Sequence, residues 1–135
     1  MSNWIRIQEP YDSDENLGPL QLAWLGDSVW ELHQRLHYCQ KPARSIDLHR
    51  CVVSKVSASA QAKALLSLEP HLSDLEIDLV RRGRNKAGRG PRQGDASIYG
   101  KATGFETMIG WLFLKNPARL AELLDRLEES DFGSS

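Results

Sequence analysis

The chain has 135 residues, of which 41% are hydrophobic and 26% are charged, as is usual for a globular protein. This length suffices for one domain with a hydrophobic core, but not for two. No apolar run approaches the ~20 residues of a membrane span, and the N-terminus lacks the pattern of an export signal. We therefore expect no membrane association and a cytoplasmic location; a plastid stroma stays open only if a transit peptide has been removed.

The net charge of −1 conceals a strong asymmetry along the chain. The segment 81–101 contains seven basic residues and one acid, whereas the remainder carries a net charge of −7. A basic segment on an acidic body is typical of a protein that binds a polyanion, although a solvated basic loop is the plainer alternative. The candidate phosphate contacts in this segment are Arg82, Arg84, Lys86, Arg89 and Arg92.

No segment alternates apolar and polar residues with a period of two, so the sequence predicts an all-α fold. We expect residues 1–16 to form a mobile acidic leader, residues 17–128 to form one folded domain and residues 129–135 to form a frayed tail. The predicted helices, bounded by caps, prolines and helical periodicity, are 20–38, a short one near Ser45, 54–68, 73–86, 97–115 and 117–127.

Two carboxylates lie within apolar runs that are bracketed by glycine. Asp27 belongs to the run 25–29, and Glu106 belongs to the run 104–110. A charged group in such surroundings costs free energy unless it is paired, and a metal ion is one possible partner. The plainer alternatives are a surface aspartate among tryptophans and a boundary glutamate with its head group in water.

Glu31 lies one helical turn after Asp27, as a third acid on the same face. It is a candidate catalytic or supporting acid, or else a salt-bridge partner of Arg35. His33 and His37 have the spacing of two zinc ligands, but no further ligand stands at the required spacing, so packing or solvated histidines are favoured. Cys39 and Cys51 have neither metal nor redox spacing, which predicts reduced thiols and leaves a disulfide as the alternative.

Carboxylate oxygens are ligands that suit Mg²⁺, which binds through one or two of them and keeps several waters. The bound metal can supply a water nucleophile and offset charge on a phosphate. Asp27 and Glu106 as metal ligands, near a basic segment, therefore describe a Mg²⁺-dependent phosphodiesterase.

Both glycine-bracketed stretches resemble the ribonuclease III catalytic domain, an all-helical fold that cleaves double-stranded RNA. The run 22–27 reads LAWLGD, and the run 103–110 reads TGFETMIG. They match one aspartate and one glutamate of the family, at Asp27 and Glu106. Two further acids of the family are replaced by Ala23 and Thr103, as in its smaller members, the Mini-ribonuclease III group, which lack a separate RNA-binding domain.

This resemblance implies a twofold homodimer in which each subunit cuts one strand of an RNA duplex and leaves 5′-phosphate and 3′-hydroxyl ends. It also implies Mg²⁺ as cofactor and precursor 23S ribosomal RNA of the large subunit as substrate, with a ribosomal protein as a possible helper. One alternative is a catalytically silent RNA-binding factor of the same fold that acts in ribosome assembly. Another is a helical adaptor whose basic loop binds an acidic protein.

Overall fold

The computed structural model describes residues 2–11, 16–92 and 94–133, and within these ranges it contains helices and no strand. The expected all-α fold is thereby confirmed for the described part of the chain. In this described part, seven α-helices follow one another, with a short 3₁₀ turn at Glu69–His71. They are α1 (Asn3–Arg6), α2 (Pro19–Tyr38), α3 (Ser45–Val56), α4 (Ala58–Leu68), α5 (Asp74–Lys86), α6 (Ala96–Lys115) and α7 (Pro117–Gly133).

Helix α6 is the centre of the fold, and it packs against α2, α4, α5 and α7. Because neighbours surround it, its apolar residues are buried around most of the helix rather than on one stripe. Phe105, Met108 and Ile109 are fully buried, and the ring of Trp30 meets that of Phe105 edge to face. Glu106 thus stands on the helix that the rest of the protein encloses.

The predicted helix boundaries hold to within one residue except between α3 and α4 and at the end of α7, which continues beyond residue 127 to Gly133. Instead of a short helix near Ser45 and a longer one over 54–68, the break falls at Ser57. Ser57 is extended, and its hydroxyl oxygen accepts a hydrogen bond from the backbone N–H of Ala60 over 3.2 Å. A serine N-cap of this kind begins a new helix, which the continuous run of alanines and leucines concealed. The predicted capping box at Ser73 is confirmed, with both of its hydrogen bonds formed.

Both predicted terminal segments contain helix within the described residues. Within the predicted mobile leader, residues 3–6 form α1, and Ile5 is fully buried in the core beside α7. Burial of Ile5 in the apolar core stabilises this segment despite the acidic residues that follow it. Residues 12–15 lie outside the described part. Of the predicted frayed tail, 129–133 continue α7, and 134–135 lie outside the described residues.

Among the described residues, no helix combines the length and the apolar character that a membrane crossing requires. Cys39 and Cys51 are both exposed and carry free thiols, so the alternative of a disulfide is not realised in this structure.

Candidate active site

The crossing of α2 and α6 places the two glycine-bracketed runs in direct backbone contact. A Cβ atom on Gly26 would overlap the carbonyl oxygen of Glu106, and a Cβ atom on Gly110 would overlap the carbonyl oxygen of Leu22. Each glycine therefore allows the other helix to approach to a distance that any side chain would prevent. Asp27, the residue after Gly26, is carried to the side of Glu106 by this close approach.

Asp27 and Glu106 are hydrogen-bonding neighbours in the structure, Asp27 exposed and Glu106 half-buried. A third side chain joins them, because the amide of Gln61 on α4 donates to Glu106 Oε2 over 3.4 Å. Burial, followed by the hydrogen bond and the negative charge of Asp27, raises the pKa of Glu106 to about 8. Without a cation, the pair therefore holds a proton at neutral pH.

Glu106→Gln is expected to raise the melting temperature by a few degrees at pH 9 and by little at pH 5, in metal-free buffer. The pKa of Glu106 is about 8 in the folded state against 4.5 ordinarily, so the folded chain retains a proton that the unfolded chain loses. The wild-type protein consequently loses stability as pH rises between these values, whereas the glutamine variant is spared that loss. Equal gains at both pH values would contradict this account, and Glu69→Gln, at an exposed site, is the control.

The two positions at which the family resemblance leads one to expect further acids do not add charge to this site. Ala23 is 7% exposed, and Thr103 is 6% exposed. The hydroxyl of Thr103 donates to the carbonyl oxygen of Tyr99 within α6, over 3.0 Å. The candidate site consequently rests on the carboxylates of Asp27 and Glu106.

Glu31, the third acid predicted for the site, lies half-buried on α2 with a carboxylate oxygen 3.9 Å from Arg35 Nη2. The side chains that shift the pKa of Glu106 are Asp27 and Gln61, and Glu31 is not among them. The structure therefore places Glu31 one turn after Asp27 on α2, beside a cation of its own.

The two histidines differ, since His33 is buried and His37 is exposed with its ring edge to face with Tyr38. His33 is 3% exposed; its Nδ1 accepts a hydrogen bond from Trp4 Nε1 over 3.2 Å, and its Nε2 lies 3.3 Å from Glu128 Oε1. Burial lowers the pKa of His33 to about 4, so the ring is neutral at physiological pH. In the described ranges, no group of three or more histidine, cysteine or acidic side chains could hold a metal ion. The described residues therefore offer no ligand set for a zinc site at His33 and His37.

The predicted phosphate contacts divide between a helix and a loop. Arg82, Arg84 and Lys86 belong to the last turns of α5, and Arg89 and Arg92 belong to the loop that follows; all five are exposed. Residues two apart on a helix project in nearly opposite directions. Accordingly, the stem of Arg84 lies over Gly100 of α6, whereas Arg82 lines a groove that also includes Trp111.

The loop between α5 and α6, called the basic loop below, is anchored to α6 through Tyr99. Gly90 has a φ of 74° and lies so close to the ring of Tyr99 that a Cβ atom would overlap it. Tyr99, Thr103 and Glu106 follow one another on one face of α6, with Tyr99 about 10 Å along the axis from Glu106. The loop thus contacts the face of α6 that bears the carboxylate.

Residues 20–117 match the model of the ribonuclease III domain. The chain belongs to the ribonuclease III family. It is 44% identical over 118 residues to a Mini-ribonuclease 3 of a Synechococcus species, which covers 87% of this chain and 86% of the relative. It is 47% identical over 108 residues to the Mini-ribonuclease 3 of Gloeobacter violaceus, which covers 80% of each chain.

A crystal structure of a Fusobacterium nucleatum protein has a similar fold, with a TM-score of 0.77 at 26% identity. The superposition covers 90% of this chain and 97% of that protein. These similarities confirm the resemblance to the Mini-ribonuclease III group, and the ribonuclease III chain described here is an endoribonuclease.

Gln61 is a further side chain of this ribonuclease III site that was not predicted from the sequence. Its signal is nevertheless present, because Gln61, Leu65 and Leu68 have the spacing of one buried helical stripe, in which a glutamine is out of place. The signal becomes visible once the start of α4 is fixed at Ser57.

Proposed function

We propose that this protein is a Mg²⁺-dependent, homodimeric endoribonuclease that cleaves double-stranded RNA and matures the ends of precursor 23S ribosomal RNA. The observation that carries the proposal is the pairing of Asp27 with Glu106 on two crossing helices, on the face of α6 that the basic loop contacts at Tyr99. The coarser activity, that of a ribonuclease III family endoribonuclease, follows from the family.

The donor set of this site suits a divalent cation. Burial, followed by the hydrogen bond and the charge of Asp27, raises the pKa of Glu106, and the two carboxyl groups in contact repel each other when both are ionised. A cation bound between them would relieve that repulsion and displace the shared proton. Bound Mg²⁺ would supply Lewis acidity at the phosphate and a water of lowered pKa. Asp27 and Glu106 would hold it, and the exposure of Asp27 leaves the pair open to substrate.

The basic segment supports double-stranded RNA as the substrate. Duplex RNA is recognised largely by shape and by phosphate and 2′-hydroxyl contacts, because its deep major groove excludes side chains. Arg89 and Arg92 lie in the loop that Gly90 attaches to Tyr99, so they can reach a backbone whose phosphate lies at the acid pair. Such contacts confer affinity with little base preference.

The exposed apolar face of α2 supports a homodimer. Trp24 is 81% exposed and Leu20 is 51% exposed, and both share a helical face with Asp27. Large apolar side chains grouped in this way are costly in water and are typical of an interface. A second copy related by a twofold axis would cover Trp24 and Leu20, leave the neighbouring Asp27 accessible, and bring two acid pairs to one duplex, one for each strand.

The test of the proposed function is incubation of the purified protein with duplex RNA and Mg²⁺, followed by mapping of both strands. The expected result is one cut in each strand with a short offset, and no cut in the matching single strands. Mapping of 23S ribosomal RNA ends in cells that lack the protein should reveal unprocessed precursor. An RNA that is retarded but never shortened would reject the catalytic proposal, and mature 23S ends would reject the proposed substrate.

Reversal of both loop charges, Arg89→Glu with Arg92→Glu, is expected to weaken duplex-RNA binding at least about tenfold at moderate salt. Each lost phosphate contact also reduces the slope of log affinity against log salt by about one. Fluorescence anisotropy over a salt series measures both effects. Lys41→Glu with Arg50→Glu is the matched control outside the segment, since both residues are exposed. Unchanged affinity and slope in the loop variant would remove the loop from the interface.

A further inference from the structure

Gln61 occupies a position in α4 at which the fold calls for an apolar residue. It is 2% exposed, and the next residues of its helical stripe, Leu65 and Leu68, are 1% and 0% exposed. A buried amide without a partner costs about 1–3 kcal/mol, whereas a leucine or methionine at this place would stabilise the core. The protein thus keeps a polar group where packing alone favours an apolar one.

The partner of the Gln61 amide is Glu106. Gln61 Nε2 donates to Glu106 Oε2 over 3.4 Å, and Asp27 is the other side chain hydrogen-bonded to that carboxyl group. The Glu106 carboxyl is therefore held between two neighbours from different helices, one on α4 and one on α2. A carboxylate with two fixed partners loses the freedom to rotate about its last side-chain bonds.

The helix end that carries Gln61 is rigidly held. Its backbone N–H donates to the carbonyl oxygen of Ser57 over 3.0 Å, and the Ser57 side chain caps the first turn of α4. Leu65, one turn further, anchors the same face of the helix in the core. The amide is consequently carried by a capped, anchored helix end rather than by a loop.

We propose that Gln61 is a positioning residue, which orients the Glu106 carboxylate towards Asp27 so that the pair can bind one divalent cation. This inference rests on the proposed function, because it assigns Gln61 a role toward the metal that Asp27 and Glu106 would hold. Hydrogen-bond donors behind a metal-binding carboxylate fix its orientation, and their loss typically lowers metal affinity 10–100-fold.

The test compares Gln61→Met with Leu65→Met in the RNA-free protein. Methionine matches the length of glutamine but has no N–H donor, and the control places the same side chain one turn further in the same stripe. Mn²⁺, which also takes oxygen ligands, is titrated and its free form is measured by electron paramagnetic resonance. We expect Gln61→Met to bind Mn²⁺ at least about tenfold more weakly, and Leu65→Met to match the wild type.

Further readouts separate orientation from folding. Gln61→Met should melt no lower than the wild type and bind duplex RNA equally well without metal. Its cleavage rate should be low at limiting Mg²⁺ and recover as Mg²⁺ is raised. If Gln61→Met unfolds, Gln61→Leu gives the same comparison with a side chain that continues the leucine stripe.

Asp27→Asn in the same Mn²⁺ titration distinguishes the two possible failures. If Asp27→Asn lowers Mn²⁺ affinity while Gln61→Met and Gln61→Leu stay within twofold of the wild type, the role of Gln61 is overturned and the metal site stands. If neither Asp27→Asn nor the Gln61 variants alter Mn²⁺ affinity, the metal site and the role of Gln61 both fall. Loss of affinity in both kinds of variant supports both.

Discussion

Asp27→Asn is expected to lower the rate of Mg²⁺-dependent cleavage of duplex RNA at least about a thousandfold. The exposed carboxylate of Asp27 lies against Glu106, and asparagine removes its charge while conserving its shape. A metal contributes several kcal/mol of transition-state stabilisation, and a loss of about 4 kcal/mol corresponds to about a thousandfold in rate. Single-turnover cleavage with saturating protein measures this rate without a contribution from RNA binding.

The same variant should retain its fold and its affinity for RNA. Because Asp27 also raises the pKa of Glu106, its neutralisation should leave stability unchanged or slightly higher near neutral pH. Glu31→Gln is the matched control, one turn along the same helix, and we expect a loss of less than tenfold because Glu31 lies beside Arg35. Full cleavage activity in Asp27→Asn would remove Asp27 from the catalytic site.

Gly26→Ala is expected to lower the free energy of unfolding by about 3 kcal/mol and the melting temperature by about 10 °C, the largest loss among the variants proposed. The added methyl group meets the carbonyl oxygen of Glu106 and the backbone of Gly110. A flexible side chain could move aside, but these atoms belong to a helix held on several sides. The two helices must therefore separate, and Asp27 moves away from Glu106.

Gly94→Ala provides the control for a glycine substitution without a clash. Its Cβ would lie 3.4 Å from the nearest atom, the carbonyl oxygen of Pro91, and its backbone is in a region open to alanine. Thermal unfolding followed by circular dichroism should show a change of a few degrees at most for this variant. If Gly26→Ala unfolded at the same temperature as Gly94→Ala, the helix crossing would be looser than the structure shows.

Much of the fold could be predicted because its signals are local. The capping box at Ser73 and the proline at residue 117 act within one turn, so they fix the starts of α5 and α7 in the sequence itself. The burial of Ile5 depends on α7, more than a hundred residues away, so composition alone could not reveal that part of the predicted leader is buried.

The candidate site likewise combines two residues that the sequence reveals with one that it does not. Asp27 and Glu106 could be singled out from the sequence because each lies in a glycine-bracketed apolar run, and the resemblance to ribonuclease III paired them. Gln61 could not be assigned, because its partner is on another helix and its buried stripe is defined only when α4 begins at Ser57. Tertiary proximity, rather than residue type, decides its role.

The reciprocal contact of Gly26 and Gly110 has a consequence for how this protein can change. Each glycine abuts main-chain atoms of the opposite helix, and main-chain atoms cannot be trimmed by substitution elsewhere. A second mutation therefore has no side chain to shorten in compensation for a larger residue at either position. The spacing of the two acids is therefore set by backbone contacts. Substitutions can keep or destroy this spacing but cannot change it in small steps.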